Sequence, residues 1–145
     1  MSTRDQVFVS YSHKDKYWLN ILLDMLKPLK QIRVWSDQDI EAGQHWRAEI
    51  DSALASTKVA ILLVSHRFLA SNFIVTHEIP NLLSAERDGL AKIVWIAIGA
   101  SLYSETELGM IQAANDPARP LNILPEAEAL QELAKIAKTI KKLMT

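Results

Sequence analysis

The sequence predicts one α/β domain, a three-layer sandwich in which helices cover both faces of a five-stranded parallel sheet. Short apolar segments rich in β-branched residues alternate along the chain with segments of helical periodicity. Two of the apolar segments are almost continuously apolar, which is typical of strands covered on both faces. The chain has 145 residues and shows no internal repeat or linker, so residues 1–145 are predicted to form a single domain.

The predicted strands follow in order, joined by the right-handed crossovers that make a sandwich doubly wound. Four are clear from the apolar segments 7–9, 32–35, 59–64 and 93–98. A short fifth strand is predicted at Leu121-Asn122-Ile123, after a stretch of loop that contains a little helix.

Four helices are predicted from apolar stripes that repeat every 3.6 residues. Their apolar positions lie within residues 18–29, 46–54, 71–86 and 130–143. Pro28 marks the end of the first predicted helix. The last begins after Pro125 with acidic residues and ends with lysines, which suits the helix macrodipole.

Composition excludes several classes of protein. The formal net charge is −1, so no nucleic-acid ligand is expected. The absence of cysteine excludes a thiol nucleophile, disulfides and cysteine-ligated zinc. No apolar run approaches the ~20 residues that span a bilayer, and the N-terminus lacks the apolar region of a signal peptide. We therefore expect a cytoplasmic domain without membrane contact. The chain stops directly after a helix, which fits both an excised domain and a free-standing one.

The candidate binding region lies in three polar loops that follow predicted strands, at residues 10–15, 36–43 and 65–67. Ligands of open parallel sheets bind beyond the carboxyl ends of the strands, so these loops are the expected site. The alternative is that they are ordinary solvated loops.

Several known chemistries lack their sequence signatures. There is no glycine-rich dinucleotide fingerprint, Walker loop or nucleophile elbow, although a Ser-His-Asp triad is left open. The four histidines do not have metal-ligand spacing, so no metal site is expected. A phosphoacceptor receiver needs an aspartate where the third strand ends in Ser65, and a flavin phosphate loop needs glycine, which residues 10–15 lack.

Glu78 is the main candidate for chemistry. It stands four residues after Ile74 and four before Leu82, so the three share one side of a helix. Such a carboxylate either lies exposed beside the apolar stripe or faces a cleft, where partial burial raises its pKa as in many functional acids. Pro80 cannot bond to the carbonyl of Thr76 and is expected to distort the turn beside Glu78.

Trp46 has two interpretations. It begins the second predicted helix directly after the loop 36–43, where its ring could stack on a flat ligand in the cleft. Alternatively it is a core aromatic that anchors the helix.

Several segments, taken in order, resemble the bacterial form of the TIR (Toll/interleukin-1 receptor) domain. Residues 6–12 resemble its first motif, a strand that ends in Ser-Tyr, and residues 34–43 resemble its second strand and a long loop closing on glycine. Residues 65–80 are similar to its third motif, where a glutamate follows an S-x-x-F-x-x-S pattern. Residues 120–122 and the closing helix resemble its tail, so the match covers essentially the whole chain.

The resemblance implies a flavodoxin-like fold with five parallel strands. It also implies cleavage of NAD⁺, as substrate and without another cofactor, to nicotinamide and ADP-ribose or a cyclic isomer. The catalytic glutamate of the family falls on Glu78, and the substrate-binding positions fall around Tyr11, Ser12, Asp39, Glu41, Trp46 and Ile74.

The sequence departs from the family pattern at one position. Many active members have an aromatic residue four positions before the glutamate, where this chain has Ile74, and Phe73 lies one residue earlier. A stacking partner is thereby shifted or removed.

Two functions follow from the resemblance. The first is an NAD⁺ nucleosidase, an effector in bacterial antiphage defence or stress signalling that self-association with other TIR domains activates. One carboxylate suffices, because nicotinamide leaves as a neutral group and only the oxocarbenium-like ribose needs stabilisation. The second is a scaffold that self-associates without catalysis. Glu78 favours the first, and Ile74 favours the second.

Overall fold

The computed structural model describes residues 4–145 and contains an α/β domain with four parallel strands. The strands are β1 (Gln6–Ser10), β2 (Arg33–Trp35), β3 (Thr57–Val64) and β4 (Lys92–Ala97). The helices are α1 (Lys16–Leu26), α2 (Trp46–Ala55), α3 (His66–Ala70), α4 (Ile79–Arg87) and α5 (Glu126–Met144). Within these described residues, no helix combines the length and the apolar character that crossing a membrane requires.

The sheet has the strand order β2-β1-β3-β4, with every neighbouring pair parallel. From β1 the chain adds β2 on one side and then crosses over to add β3 on the other. The order therefore reverses beside β1, and a crevice is expected beyond the carboxyl ends of the strands at this point.

The two faces of the sheet pack against different helices, as the predicted three-layer sandwich requires. Val7 and Val9 face the layer that contains α1 and α5, whereas Phe8 faces the layer that contains α2, α3 and α4. Side chains alternate along a strand, so Ser10 at the end of β1 lies on the Phe8 side. The pleat of β1 thus directs a buried hydroxyl toward the helical layer that carries Glu78.

The predicted fifth strand is wrong. Leu121–Ile123 forms a 3₁₀ turn, and its single backbone bond toward β4 runs from the Asn122 N–H to the Ile98 carbonyl at 3.1 Å. The outer edge of β4 is already occupied, because the Asn115 side chain bonds both backbone groups of Ala97, at 2.8 and 3.0 Å. The apolar pattern reflects burial of Leu121 as an anchor in the core.

Candidate functional site

A cleft of about 430 Å³ opens at the carboxyl ends of β1 and β2, where the strand order predicts a crevice. This size is ordinary for a small-molecule site. Its walls are formed by Tyr11, Ser12, His13, Lys14, Asp37, Trp46, Ile50, Ser71, Phe73, Ile74 and Glu78. Larger depressions of about 590 and 670 Å³ surround Leu29 and Lys30 at the opposite end of the sheet. None of the described residues that line those two is a buried titratable group, so the cleft beside Glu78 is the candidate site.

Glu78 is buried at the base of the cleft, with 8% of its surface exposed. Its Oε1 accepts a hydrogen bond of 2.6 Å from the Ser10 hydroxyl. Burial raises the pKa of Glu78 above the ordinary value of 4.5, and the bond from Ser10 opposes that rise. The nearby charge of Asp37 raises this pKa further. The structure therefore selects the cleft-facing interpretation of Glu78 over the exposed one.

Glu78 ends a single π-helical turn, Ile74–Glu78, directly before α4. The N–H of Ile79 bonds to the carbonyl of Ile74, five residues earlier, instead of four. Pro80 follows at the start of α4 and has no N–H to donate, which explains why the regular bonding pattern is interrupted here. The distortion predicted beside Pro80 is present, and such π turns occur often at functional sites.

Tyr11, Asp37 and His13 form a chain of hydrogen bonds in the wall of the cleft. The Tyr11 hydroxyl donates to Oδ1 of Asp37 at 2.6 Å, and Nε2 of His13 lies 2.5 Å from Oδ2 of the same carboxylate. Burial, the bond to Asp37 and the charges of Asp37 and Glu78 all raise the pKa of Tyr11. Tyr11 therefore stays protonated and acts as a donor that holds Asp37 in place.

The rim of the cleft is aromatic. Trp46 begins α2 with 53% of its surface exposed, which favours the cleft interpretation over that of a core anchor. Its ring meets Phe73 edge-on, with the ring centroids 5.4 Å apart, and the Arg47 guanidinium lies 5.5 Å from the Phe73 centroid. Phe73 thus lines the cleft one residue before Ile74, which is itself buried in the wall.

The structure brings five of the seven predicted site residues together: Glu78, Tyr11, Ser12, Trp46 and Ile74. It does not bring Asp39 and Glu41 to the cleft walls. The Asp39 carboxylate instead accepts the Ser36 backbone N–H at 2.9 Å and closes the short 3₁₀ turn Asp37–Asp39. The Glu41 side chain is exposed, and the backbone N–H of Glu41 donates to the Gln44 side chain at 2.7 Å. Contact of these two residues with a substrate stays a prediction.

Ser10, His13 and Asp37 lie within the predicted loops 10–15 and 36–43, but the sequence assigned none of them an individual role, and Phe73 entered only as the aromatic residue next to Ile74. Ser10 could have been found from the alternation of side chains along β1, because it lies two residues after Phe8 and therefore faces the same side of the sheet. Asp37 lies just beyond the end of β2, which is where site residues of a parallel sheet are expected. The sequence indicates that His13 is a surface or hydrogen-bonding histidine rather than a metal ligand, and its pairing with Asp37 is a tertiary contact.

Comparison with known proteins gives one family. The family model described as "TIR domain" matches residues 7–133. An uncharacterized protein, y4lF, of Sinorhizobium fredii (strain NBRC 101917 / NGR234) is 30% identical over 133 residues. That alignment covers 89% of this chain and 41% of y4lF, so the chain spans about two fifths of the length of this relative.

Solved structures agree with this assignment at the level of the fold. The TIR domains in the structure of the activated Roq1 resistosome directly recognizing the pathogen effector XopQ align with a TM-score of 0.59 at 16% identity, covering 92% of this chain and 83% of that one. The TIR domain of the Toll-related receptor TRR-2 from Hydra magnipapillata aligns with a TM-score of 0.54 at 21% identity, covering 77% and 82%. With most of its length matched by the family model, this chain belongs to the TIR domain family.

Proposed function

We propose that this TIR domain cleaves the bond between nicotinamide and ribose in NAD⁺, giving nicotinamide and ADP-ribose or a cyclic isomer. The observation that carries the proposal is the placement of Glu78, a buried carboxylate with a hydroxyl donor at 2.6 Å, at the base of an open cleft. A lone buried carboxylate with a raised pKa in a cleft is a recognised mark of a functional acid.

The proposed chemistry needs one carboxylate. The bond from C1′ of the ribose to the ring nitrogen breaks, and its electron pair passes to nicotinamide, which leaves as a neutral molecule. Positive charge develops on the ribose, as in glycoside hydrolysis. Glu78 in its ionised form would bond the ribose hydroxyls and oppose that charge within a site of low dielectric.

The aromatic rim supports a substrate with flat rings. Trp46 and Phe73 both line the cleft that contains the buried carboxylate. Bases stack favourably on such side chains in other nucleotide-binding proteins. Phe73 would supply the aromatic contact that Ile74 cannot, so the departure from the family pattern shifts the stacking partner by one residue.

Self-association would control the activity. Residues 41–48, in the loop before α2 and its first turn, are all exposed, and Gly43 has a φ of +91° that favours glycine. This loop is available to a neighbouring copy beside the cleft. The Roq1 TIR domains occur in a resistosome, which supports assembly as a property of this fold. We propose that the activity serves bacterial antiphage defence or signalling and takes place in the cytoplasm. The bacterial relative y4lF supports a bacterial setting.

The test is release of nicotinamide from NAD⁺ by the purified chain, measured both dilute and crowded. Wild type should release nicotinamide, and Glu78→Gln should not, because the amide keeps the shape and loses the charge. Removal of one such electrostatic group costs roughly 100- to 1000-fold in rate. Glu107→Gln, an exposed glutamate outside the cleft, is the matched control and should behave as wild type.

The scaffold alternative predicts a different result. If wild type self-associates in the crowded samples and releases no nicotinamide, the domain is a non-catalytic scaffold and the proposed enzyme activity is wrong. Equal turnover by wild type and Glu78→Gln, with unchanged melting, would keep the activity and reject the assigned residue.

A further inference from the structure

The chain of bonds from Tyr11 through Asp37 to His13 has no role in the cleavage step described above. Both carboxylate oxygens of Asp37 are engaged, one by the Tyr11 hydroxyl at 2.6 Å and the other by Nε2 of His13. His13 lines the same cleft as Glu78, and its side chain is 78% exposed. The arrangement joins a fixed carboxylate to an imidazole that solvent can reach.

The contact with Asp37 fixes which nitrogen of His13 carries the proton. An ionised carboxylate only accepts hydrogen bonds, so Nε2 must be the N–H donor. The neutral ring then has its lone pair on Nδ1. Within residues 4–145, the hydrogen bonds of the His13 ring are to Asp37 alone, and His13 lines the cleft, so its Nδ1 lone pair is not engaged by another group.

Hydrolysis of NAD⁺ needs such an acceptor. After nicotinamide departs with its electron pair, the oxygen of water forms the new bond to C1′ of the ribose. One O–H bond of that water must then break, so the reaction releases one proton. In the proposed mechanism Glu78 opposes the charge on the ribose, and its Oε1 already accepts the bond from Ser10, so a different group must take this proton.

We infer that His13 is the general base of the second half of the reaction, taking the proton of the attacking water on Nδ1. Asp37 is a positioning residue that stabilises the imidazolium, and Tyr11 holds Asp37. The Ser-His-Asp triad pairs its histidine with a carboxylate in the same way, but with the roles of the two ring nitrogens exchanged. The exposed ring then releases the proton to solvent. The inference rests on the proposed cleavage of NAD⁺.

An acceptor without a proton separates the two halves of the reaction. A pyridine such as 3-acetylpyridine attacks C1′ through its ring nitrogen, has no proton to lose and gives the exchanged dinucleotide. Wild type should form both ADP-ribose and the exchanged dinucleotide from NAD⁺ and 3-acetylpyridine. His13→Gln should lose about 100-fold in hydrolysis, the lower range for a general base, and keep exchange within about threefold.

Two further variants test the arrangement. Asp37→Asn should reduce hydrolysis more than exchange, because the amide no longer fixes the tautomer of His13. Hydrolysis by His13→Ala should be partly restored by free imidazole, a result that a merely structural role for His13 does not produce. Glu78→Gln should lose both products, because it acts before either acceptor attacks.

The outcomes are distinct. Parallel loss of hydrolysis and exchange in His13→Gln, or unchanged hydrolysis, overturns the role of His13 and leaves the proposed function intact. Failure of wild type to release nicotinamide overturns the proposed function, and this inference with it, whereas release of nicotinamide without ADP-ribose overturns the role of His13 alone.

Discussion

The Ser10 hydroxyl donates a hydrogen bond of 2.6 Å to Oε1 of Glu78, across 68 residues of sequence. This bond joins the carboxyl end of β1 to the π-helical turn before α4. It favours the ionised carboxylate, whereas burial favours the protonated one. The balance between the two determines the pH range in which Glu78 can act as an anion.

We expect Ser10→Ala to move the pH profile of NAD⁺ cleavage toward higher pH. Loss of the donor raises the pKa of Glu78 further, so a higher pH is needed to ionise the carboxylate. A hydrogen bond to a charged group contributes about 1.5–3 kcal/mol, so activity on the acidic side of the profile should fall clearly below that of wild type. Activity should recover as pH rises. An equal loss at every pH would show that Ser10 acts through structure alone.

The stability of Glu78→Gln relative to wild type should increase with pH. Burial holds the pKa of Glu78 above 4.5, so the folded state binds this proton more tightly than the unfolded state does. The resulting contribution to stability is fully present below the unfolded-state pKa and is lost as pH rises through the folded-state pKa. Glutamine does not ionise and escapes this loss. Thermal melting of both proteins from about pH 4 to about pH 8 measures this difference in stability. A difference in Tm that stays constant with pH would contradict the raised pKa of Glu78.

Trp46→Ala should weaken substrate binding with little effect on the fold. Stacking of a base on an aromatic side chain contributes about 1–3 kcal/mol, so KM should rise roughly five- to 150-fold. Because Trp46 is half exposed, the free energy of unfolding should fall by about 1 kcal/mol or less.

Trp95 provides the matched control for this substitution. It is 1% exposed in the core, and its indole N–H bonds to the Ile111 carbonyl at 2.7 Å. Trp95→Ala should lower the free energy of unfolding by about 3–5 kcal/mol. A comparable loss in Trp46→Ala would show that Trp46 supports the core and would reject its role at the cleft.

Specific activity should rise with protein concentration. The exposed loop that closes on Gly43 lies beside the cleft, so a neighbouring copy could order it around the substrate. A head-to-tail contact of this kind is heterologous and can propagate into a filament. The measurement is activity per molecule across a wide dilution series, with sedimentation at each concentration. Constant activity from a species shown to be monomeric would rule out activation by assembly.

The local pattern of the chain was enough to predict much of the fold. Nearly continuous apolar segments with β-branched residues predicted β3 and β4, and the alternation of strands and helices predicted the three layers. The fifth strand could not be judged in this way. Whether Leu121–Ile123 pairs with β4 depends on Asn115, which occupies the edge of that strand from elsewhere in the chain.

The sequence by itself determined that Glu78 lies on an apolar helical face and that Pro80 interrupts the helix beside it, because spacing and missing N–H groups are local properties. Only the tertiary structure decided that Glu78 is buried against Ser10 and that His13 pairs with Asp37. The strand order brings residues that are distant in sequence to one crevice. A hydrogen bond forms there only where the packed strands and helices place donor and acceptor within about 3 Å of each other.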